Sequence, residues 1–279
     1  MINIKKLNIG NKPLFIILLA LIILLYYGVF KWLLSSWLNL ESYTHGFLIP
    51  IIILFLVWRK KECLLEDKGR KKPVILILSL IIYLIGQLIG AVYLVALSLI
   101  PFLIGVIQFM RGGEQAKKIT PPILFLLLAI PPPNLYDITL TLQLISTMLS
   151  SHLAQLMGVS CSYKGCEIIL TSTVFRIAPT CSGFNSIISF YTAVTLLVYL
   201  IRDPIIDKMI LLVSALPIAL FTNGLRITAT ILVAVNCGVD EGVRFFHDWG
   251  GILFYLIALT LIFLLLGGIR WMRKINTRY

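Results

Sequence analysis

Residues 250–269 read GGILFYLIALTLIFLLLGGI, twenty positions without a charge, and Arg270, Arg273 and Lys274 follow closely. Twenty apolar residues in a helix rise about 30 Å, the thickness of a bilayer's hydrocarbon core. The rest of the chain has the same character. Its 279 residues are 59% hydrophobic and 13% charged, where an ordinary soluble domain is about 45–50% apolar and about 25% charged. A soluble fold of this length cannot hide so much apolar surface, so the class is membrane. No polar stretch is long enough to fold separately, and residues 1–279 read as a single integral membrane domain.

Outward from that segment, further spans fall at roughly 13–34, 44–58, 73–90, 91–110, 119–133, 183–201 and 207–224. The expected fold is an all-α polytopic membrane protein with about eight transmembrane helices. The first apolar segment is too long for a signal-peptide core and lacks a small-residue cleavage site, so it too reads as a span. Residues 134–158 mix Leu, Ile and Met with Thr, Gln, Ser and His152. They suit an interfacial amphipathic helix or a polar span inside the bundle. Residues 227–237 are apolar but half a span long, and either re-enter the membrane or pack on other helices. Between 159 and 180, β-branched residues around Gly165 predict a small β-hairpin outside the bilayer.

The net charge of +12 is topological. Nineteen of the 24 basic residues fall before the first span, between Arg59 and Lys72, between Arg111 and Lys118, at Arg202 and Lys208, or after Ile269. With eight spans every one of these clusters lies on one side, and the positive-inside rule makes that side cytoplasmic. Both termini are then cytoplasmic. No nucleic-acid-binding motif accompanies the charge. Lys31 can snorkel from the first span, whereas Lys164, Arg176, Arg226 and Arg244 oppose the bias and each needs its own reason.

The outer face collects the polar residues of chemical interest. Cys181 stands between a proline turn and the sixth span, and helix N-termini favour the thiolate; the bland reading is a small buried hydrophobe. Arg226 closes the seventh span, where an arginine against the charge bias marks a functional site or snorkels to lipid phosphate. Its N–H donors suit a thiolate or an oxyanion. His247 precedes the last span and suits general acid–base work, though alone it reads as a solvated histidine. Glu241 or Asp248 can orient it, and Asp248 can instead cap the last helix. Cys161 and Cys166 are either a disulfide across the hairpin or two thiols, and Cys63 is expected to be cytoplasmic and inert. Three scattered histidines and five cysteines make no metal-ligand pattern, and there is no phosphate loop or dinucleotide fingerprint. No cofactor and no metal are expected.

At these residues the sequence resembles the exosortase/archaeosortase family of membrane cysteine transpeptidases. The resemblance rests on Tyr43-Thr44-His45-Gly46-Phe47-Leu48, Trp58-Arg59, Ile130-Pro131-Pro132-Pro133, Cys181-Ser182-Gly183, Asn223-Gly224-Leu225-Arg226-Ile227, and His247 with Gly250 or Gly251. It implies a catalytic set of Cys181, Arg226 and His247, surrounded by substrate-binding candidates His45, Ser182, Asn223, Asp248 and Arg176. It further implies acyl transfer through a Cys181 thioester at the external face of the plasma membrane. The partners it implies are exported proteins with a C-terminal sorting signal of short motif, transmembrane helix and basic tail. Many members carry Leu-Arg after Cys-Ser-Gly; here Phe184-Asn185 stand there, and Arg176 is a candidate to supply the missing charge. The competing classes are a polytopic transporter and a non-catalytic scaffold for polysaccharide assembly.

Overall fold

The computed structural model describes residues 12–61, 72–171, 173–245 and 249–276. The chain forms two compact units, Met1–Pro133 and Asn134–Tyr279.

In the first unit the expected opening span is two helices, α1 (Lys12–Leu25) and α2 (Tyr27–Asn39), bent by 70°. The break is made by Tyr26, which is fully buried and shares a hydrogen bond with Ser98 at 3.0 Å. Tyr83 donates its hydroxyl proton to the Leu25 carbonyl at 2.9 Å, satisfying an acceptor beside the kink. A 3-10 turn over Glu41–Phe47 leads into α3 (Leu48–Arg59). Two further helices, α4 (Val74–Leu88) and α5 (Val92–Arg111), follow. The expected span at 119–133 is instead the end of α6 (Gly113–Leu124), a 3-10 turn over Phe125–Leu128 and non-helical chain. Charged residues begin α6, and Pro121 and Pro122 lie in its last turn.

The second unit begins with α7 (Leu135–Leu156). Its polar residues Gln143, Ser146, Thr147, Ser150 and Ser151 are buried, so it is not an interfacial helix with a wetted polar face. It is the alternative, a polar helix inside a bundle. A three-stranded antiparallel sheet follows in the order β1 (Cys161–Lys164), β2 (Glu167–Leu170), β3 (Val174–Arg176), one strand more than the expected hairpin. Cys161 pairs in register with Leu170, and Cys166 lies in the turn, so the two remain thiols. Then come α8 (Phe184–Leu200), α9 (Ile205–Cys237), the short α10 (Val239–Phe245) and α11 (Gly251–Asn276). The expected span at 207–224 and the half-span at 227–237 are thus one helix of 33 residues, about 50 Å long.

Among the described residues four helical segments are long and apolar enough to cross a bilayer alone: 41–59, 92–111, 205–237 and 251–275. The bent pair would make a fifth, and α4 and α8 are apolar but shorter. The protein is a helical, polytopic membrane protein, and among the described residues length and composition support four or five of the eight expected spans.

Helices α8, α9 and α11 pack through Ile187, Phe190, Leu211, Ala215, Ala258 and Ile262. In lipid, helices associate by close fit more than by escape from water, and the buried alanines allow that fit. One end of this trio is locked by charge. Arg270 and Arg273 donate to Asp203 at 2.6 and 2.8 Å, and Arg273 reaches Asp207 at 2.8 Å. The turn between α8 and α9 therefore sits beside the C-terminal part of α11. The hydrogen bonds from Arg270, then Arg273, lower the Asp203 carboxyl from 3.8 to about 2. A lowered carboxyl stabilises the fold above its ordinary value, and that contribution is lost as pH falls from about 4 towards 2. Asp203→Asn should show a smaller drop in melting temperature between pH 7 and pH 3 in detergent than the unsubstituted protein; equal drops would exclude the lock as an acid-sensitive element.

Candidate active site

The loop carrying Cys181 is held from two helices. β3 ends at Arg176, and Gln143 of α7 donates to the Ile177 carbonyl at 2.8 Å. The chain then turns through a 3-10 segment, Pro179–Cys181, and Gly183 reverses it into α8 with φ +83°. A side chain is excluded at Gly183 twice over: the backbone is left-handed, and a Cβ there would stand 2.6 Å from the Asn223 amide. Ser182 is fully buried; its hydroxyl accepts from the Phe184 N–H at 3.2 Å and its carbonyl accepts from Ser146 at 3.1 Å. That hydroxyl serves the turn itself, accepting the first N–H of α8.

Asn223 supplies the second anchor. It is 3% exposed, and its Nδ2 donates to Ser146 at 2.9 Å and to the Cys181 carbonyl at 3.4 Å. Its Oδ1 is buried without a hydrogen-bond partner among the described residues. The contact between α7 and α9 is stitched by hydroxyls: Thr228 donates to the Ser150 carbonyl and Ser150 to that of Gly224, each at 3.3 Å.

Arg226 lies one turn along α9 from Asn223. It does not end a helix, as the hydropathy of residues 207–224 suggested, but sits well inside one, 8% exposed. Its guanidinium is near enough to Cys181 for the two to interact electrostatically. The thiol itself is partly buried, packed beside Ile168, Leu170, Ile177, Ile227 and Ile231. A buried cation within electrostatic range of a sulfur suits a thiolate or an oxyanion.

Beyond Arg226 the chain doubles back. After Gly238, α10 folds against the last turns of α9, where a Cβ on Gly242 would meet Ala234 at 2.6 Å. The chain thus returns so that the Cβ position of Gly250 stands 3.4 Å from the Arg226 stem. His247 and Asp248 lie outside the described residues. Glu241 pairs with Arg244 at 3.7 Å on an exposed face of α10.

A cleft runs into this arrangement between α8, α9 and α11, lined by Ser186, Phe190, Thr222, Asn223, Arg226 and Tyr255. Its free volume is about 20 Å³, enough for one water molecule. It continues into an open groove of about 420 Å³ between α8 and α11, and Ser186, Gly251 and Tyr255 line both.

Cys181, Ser182, Asn223 and Arg226 are therefore brought together. Arg176 is exposed on β3, in register opposite Glu167. His45 belongs to the first unit, stacked on Tyr43 at 5.7 Å, with Nε2 3.3 Å from the Leu128 carbonyl. Sequence reasoning missed Gln143 and Ser146, which hold the Cys181 loop. The signal was present as polar residues at 143, 146, 147, 150 and 151, a helical repeat within an apolar stretch. Among the described residues no cluster of His, Cys, Asp or Glu could hold a metal ion.

Comparison with protein families matches residues 37–264 to the model described as Transmembrane exosortase (Exosortase_EpsH). No curated protein and no solved structure matches the chain.

Proposed function

From its membership of the transmembrane exosortase family, we propose that this protein is a cysteine transpeptidase or protease that cuts the C-terminal sorting signals of exported proteins at the external membrane face. The observation that carries the reading is the buried Arg226, one turn from the Asn223 that holds the Cys181 carbonyl and within electrostatic range of Cys181. In the reaction, the Cys181 sulfur attacks the carbonyl carbon of the scissile peptide. Arg226 stabilises the negative charge that passes from sulfur to oxygen. The C–N bond breaks, and His247 gives its proton to the leaving amine. The membrane tail departs and the substrate remains as a thioester on Cys181, which an acceptor nucleophile then resolves. Asn223, with a buried Oδ1 at the cleft, accepts a hydrogen bond from the substrate backbone. Asp248 orients His247, while Ser182 contributes by shaping the turn. Arg176 meets the polar part of the signal, and His45 is a substrate-contact candidate of the first unit. No cofactor takes part.

The height of the site supports this reading. Seventeen residues of α8 separate the Cys181 loop from the ionic lock, roughly 25 Å. Along α9, Asp207 to Arg226 is roughly 28 Å, and along α11, Gly251 to Arg270 is about the same. Three helices thus set the site about one hydrocarbon thickness from Asp203, Arg270 and Arg273. With those basic residues cytoplasmic, the site lies at the outer boundary, and the part of α9 beyond it carries the sheet. The groove between α8 and α11 is continuous with the cleft and takes the apolar helix of the substrate.

The test is capture of the intermediate. The purified protein, quenched in acid after incubation in membranes with a tail-bearing exported protein, should carry a hydroxylamine-labile acyl group on Cys181, read by mass spectrometry of the peptide. Tail release with Cys181 unmodified at every time point would exclude a thioester route.

A further inference from the structure

We propose that the open edge of β3 binds the substrate's recognition segment as an added strand that leads directly to Cys181. The proposal rests on the reading of Cys181 as an acyl-transfer centre and adds how a peptide is presented to it.

The sheet order makes β3 an edge strand. Two backbone bonds fix which groups it leaves open. Leu170 N–H donates to the Thr173 carbonyl and Ile177 N–H to the Cys166 carbonyl, each at 2.8 Å. In an antiparallel pair such bonded positions alternate, so residues 173, 175 and 177 face β2 with their backbone groups. The N–H and C=O groups of Val174 and Arg176 point the other way, out of the sheet edge. Val174 is 54% exposed and Arg176 is exposed. Phe175 and Ile177 turn to the opposite face, where they pack in the same apolar cluster as Cys181.

The two edges of the sheet are treated differently. On the β1 side, α7 closes in: Gln155 donates to the Cys161 carbonyl at 2.8 Å, and Ser151 lies 3.6 Å from the Cys161 sulfur. A short strand ending in arginine can simply be a blunted edge that needs no partner. What sets β3 apart is its continuation. Arg176 and Cys181 are five residues apart, so the thiol lies within about 17 Å of the open edge. A bound strand of roughly four or five residues covers that distance and delivers its next carbonyl to the sulfur. The edge is also fixed in place, because Gln143 holds the Ile177 carbonyl just after the strand. Backbone pairing of this kind binds an extended segment of modest sequence demand, with side-chain selectivity confined to alternate positions. On the outer face those alternate side chains meet Val174 and Arg176, with Glu167 in register opposite Arg176.

The experiment compares one lesion on two edges. Val174→Pro removes an N–H that points to the open edge and none that bonds β2, and proline is tolerated on edge strands. Tyr163→Pro does the same on the far edge, since the alternation along β2 directs the Tyr163 N–H towards the α7 side. The readout is release of the apolar tail from a co-expressed exported protein bearing a motif, helix and basic tail. Iodoacetamide labelling of Cys181 reports whether the site is intact. Val174→Pro should slow release about tenfold or more with labelling unchanged, while Tyr163→Pro stays within about twofold. Release at the unsubstituted rate by Val174→Pro, or equal loss in both variants, overturns the proposal. If Val174→Pro fails to fold, single N-methyl groups walked along a synthetic peptide of the cleaved segment decide it: sensitivity at every second residue supports the added strand, and uniform or absent sensitivity overturns it. Failure of the site reading looks different. The unsubstituted protein would then release no tail and carry no acyl group on Cys181, and the added strand would fall with it.

Discussion

Replacing Cys181 by alanine is expected to lower tail release by at least about 10⁴-fold, the scale seen when a covalent nucleophile is deleted. The protein should still insert and remain folded. Cys181 is partly buried at the margin of a cluster built mainly by Ile168, Leu170, Ile177, Ile227 and Ile231, and two loop carbonyls are held independently of the sulfur. Asn223 donates to the Cys181 carbonyl and Ser146 to that of Ser182, and neither bond involves the side chain being removed. Serine at 181 should be equally inactive, because the site supplies a cation for a sulfur anion and a hydroxyl ionises far less readily. The measurement is the ratio of tailed to tailless substrate in membranes, with the melting curve of the purified variant beside it. Full processing by Cys181→Ala would exclude covalent catalysis at this residue.

The second large effect belongs to Arg226. Alanine there should cost about 10²–10³-fold in turnover, the range for losing a donor that faces developing charge. It should also destabilise the protein, because the stem fills space between Gly250 and the core of α9. Methionine separates the two roles. It restores most of the apolar stem, so the melting temperature of Arg226→Met should recover towards the unsubstituted value while turnover stays low. Lysine keeps a charge but loses the planar fork, and should fall between arginine and methionine in turnover. If methionine and arginine release the tail at the same rate, Arg226 is a packing residue only.

The membrane class and the neighbourhood of Cys181 and Arg226 were legible in the sequence for separate reasons. Hydropathy identifies lipid-facing helices because lipid demands uniform apolarity, and α11 is as uniform as a segment can be. It fails where polarity is paid for inside the protein. Tyr26 breaks the first apolar stretch because buried hydroxyl partners, Ser98 and the Tyr83 contact with Leu25, lie about sixty or seventy positions away in the chain. Helix α7 read equally as an interfacial or a bundle helix, because the partners of Ser146 and Ser150, namely Asn223, Ser182 and Gly224, lie across a helix contact. A hydropathy window also ended the long helix at Asn223-Gly224-Leu225-Arg226, since it cannot distinguish a helix end from a buried polar turn within a continuous helix. The pairing of Asp203 with Arg270 and Arg273 puts two of the basic clusters at one end of the second unit, as the positive-inside bias required of them. His45 shows the limit of that logic: sharing a side of the membrane says nothing about a contact, and its described partners include Tyr43, Leu128 and Ser42.

The 33-residue α9 gives the site a gauge length. Asp207 near one end is tied by Arg273, and Arg226 rides on the same continuous helix, so the distance between the ionic lock and Arg226 is set by helix geometry. Lipid thickness does not set it: a thinner or thicker bilayer tilts or deforms around the rod without moving the two marks relative to each other. If, as proposed, a substrate helix lies in the groove between α8 and α11, it is measured against that fixed scale. Shortening that helix by one turn shifts its scissile bond about 5.4 Å from the sulfur while its basic tail stays at the lipid headgroups. Selection among sorting signals would in this way include a reading of length.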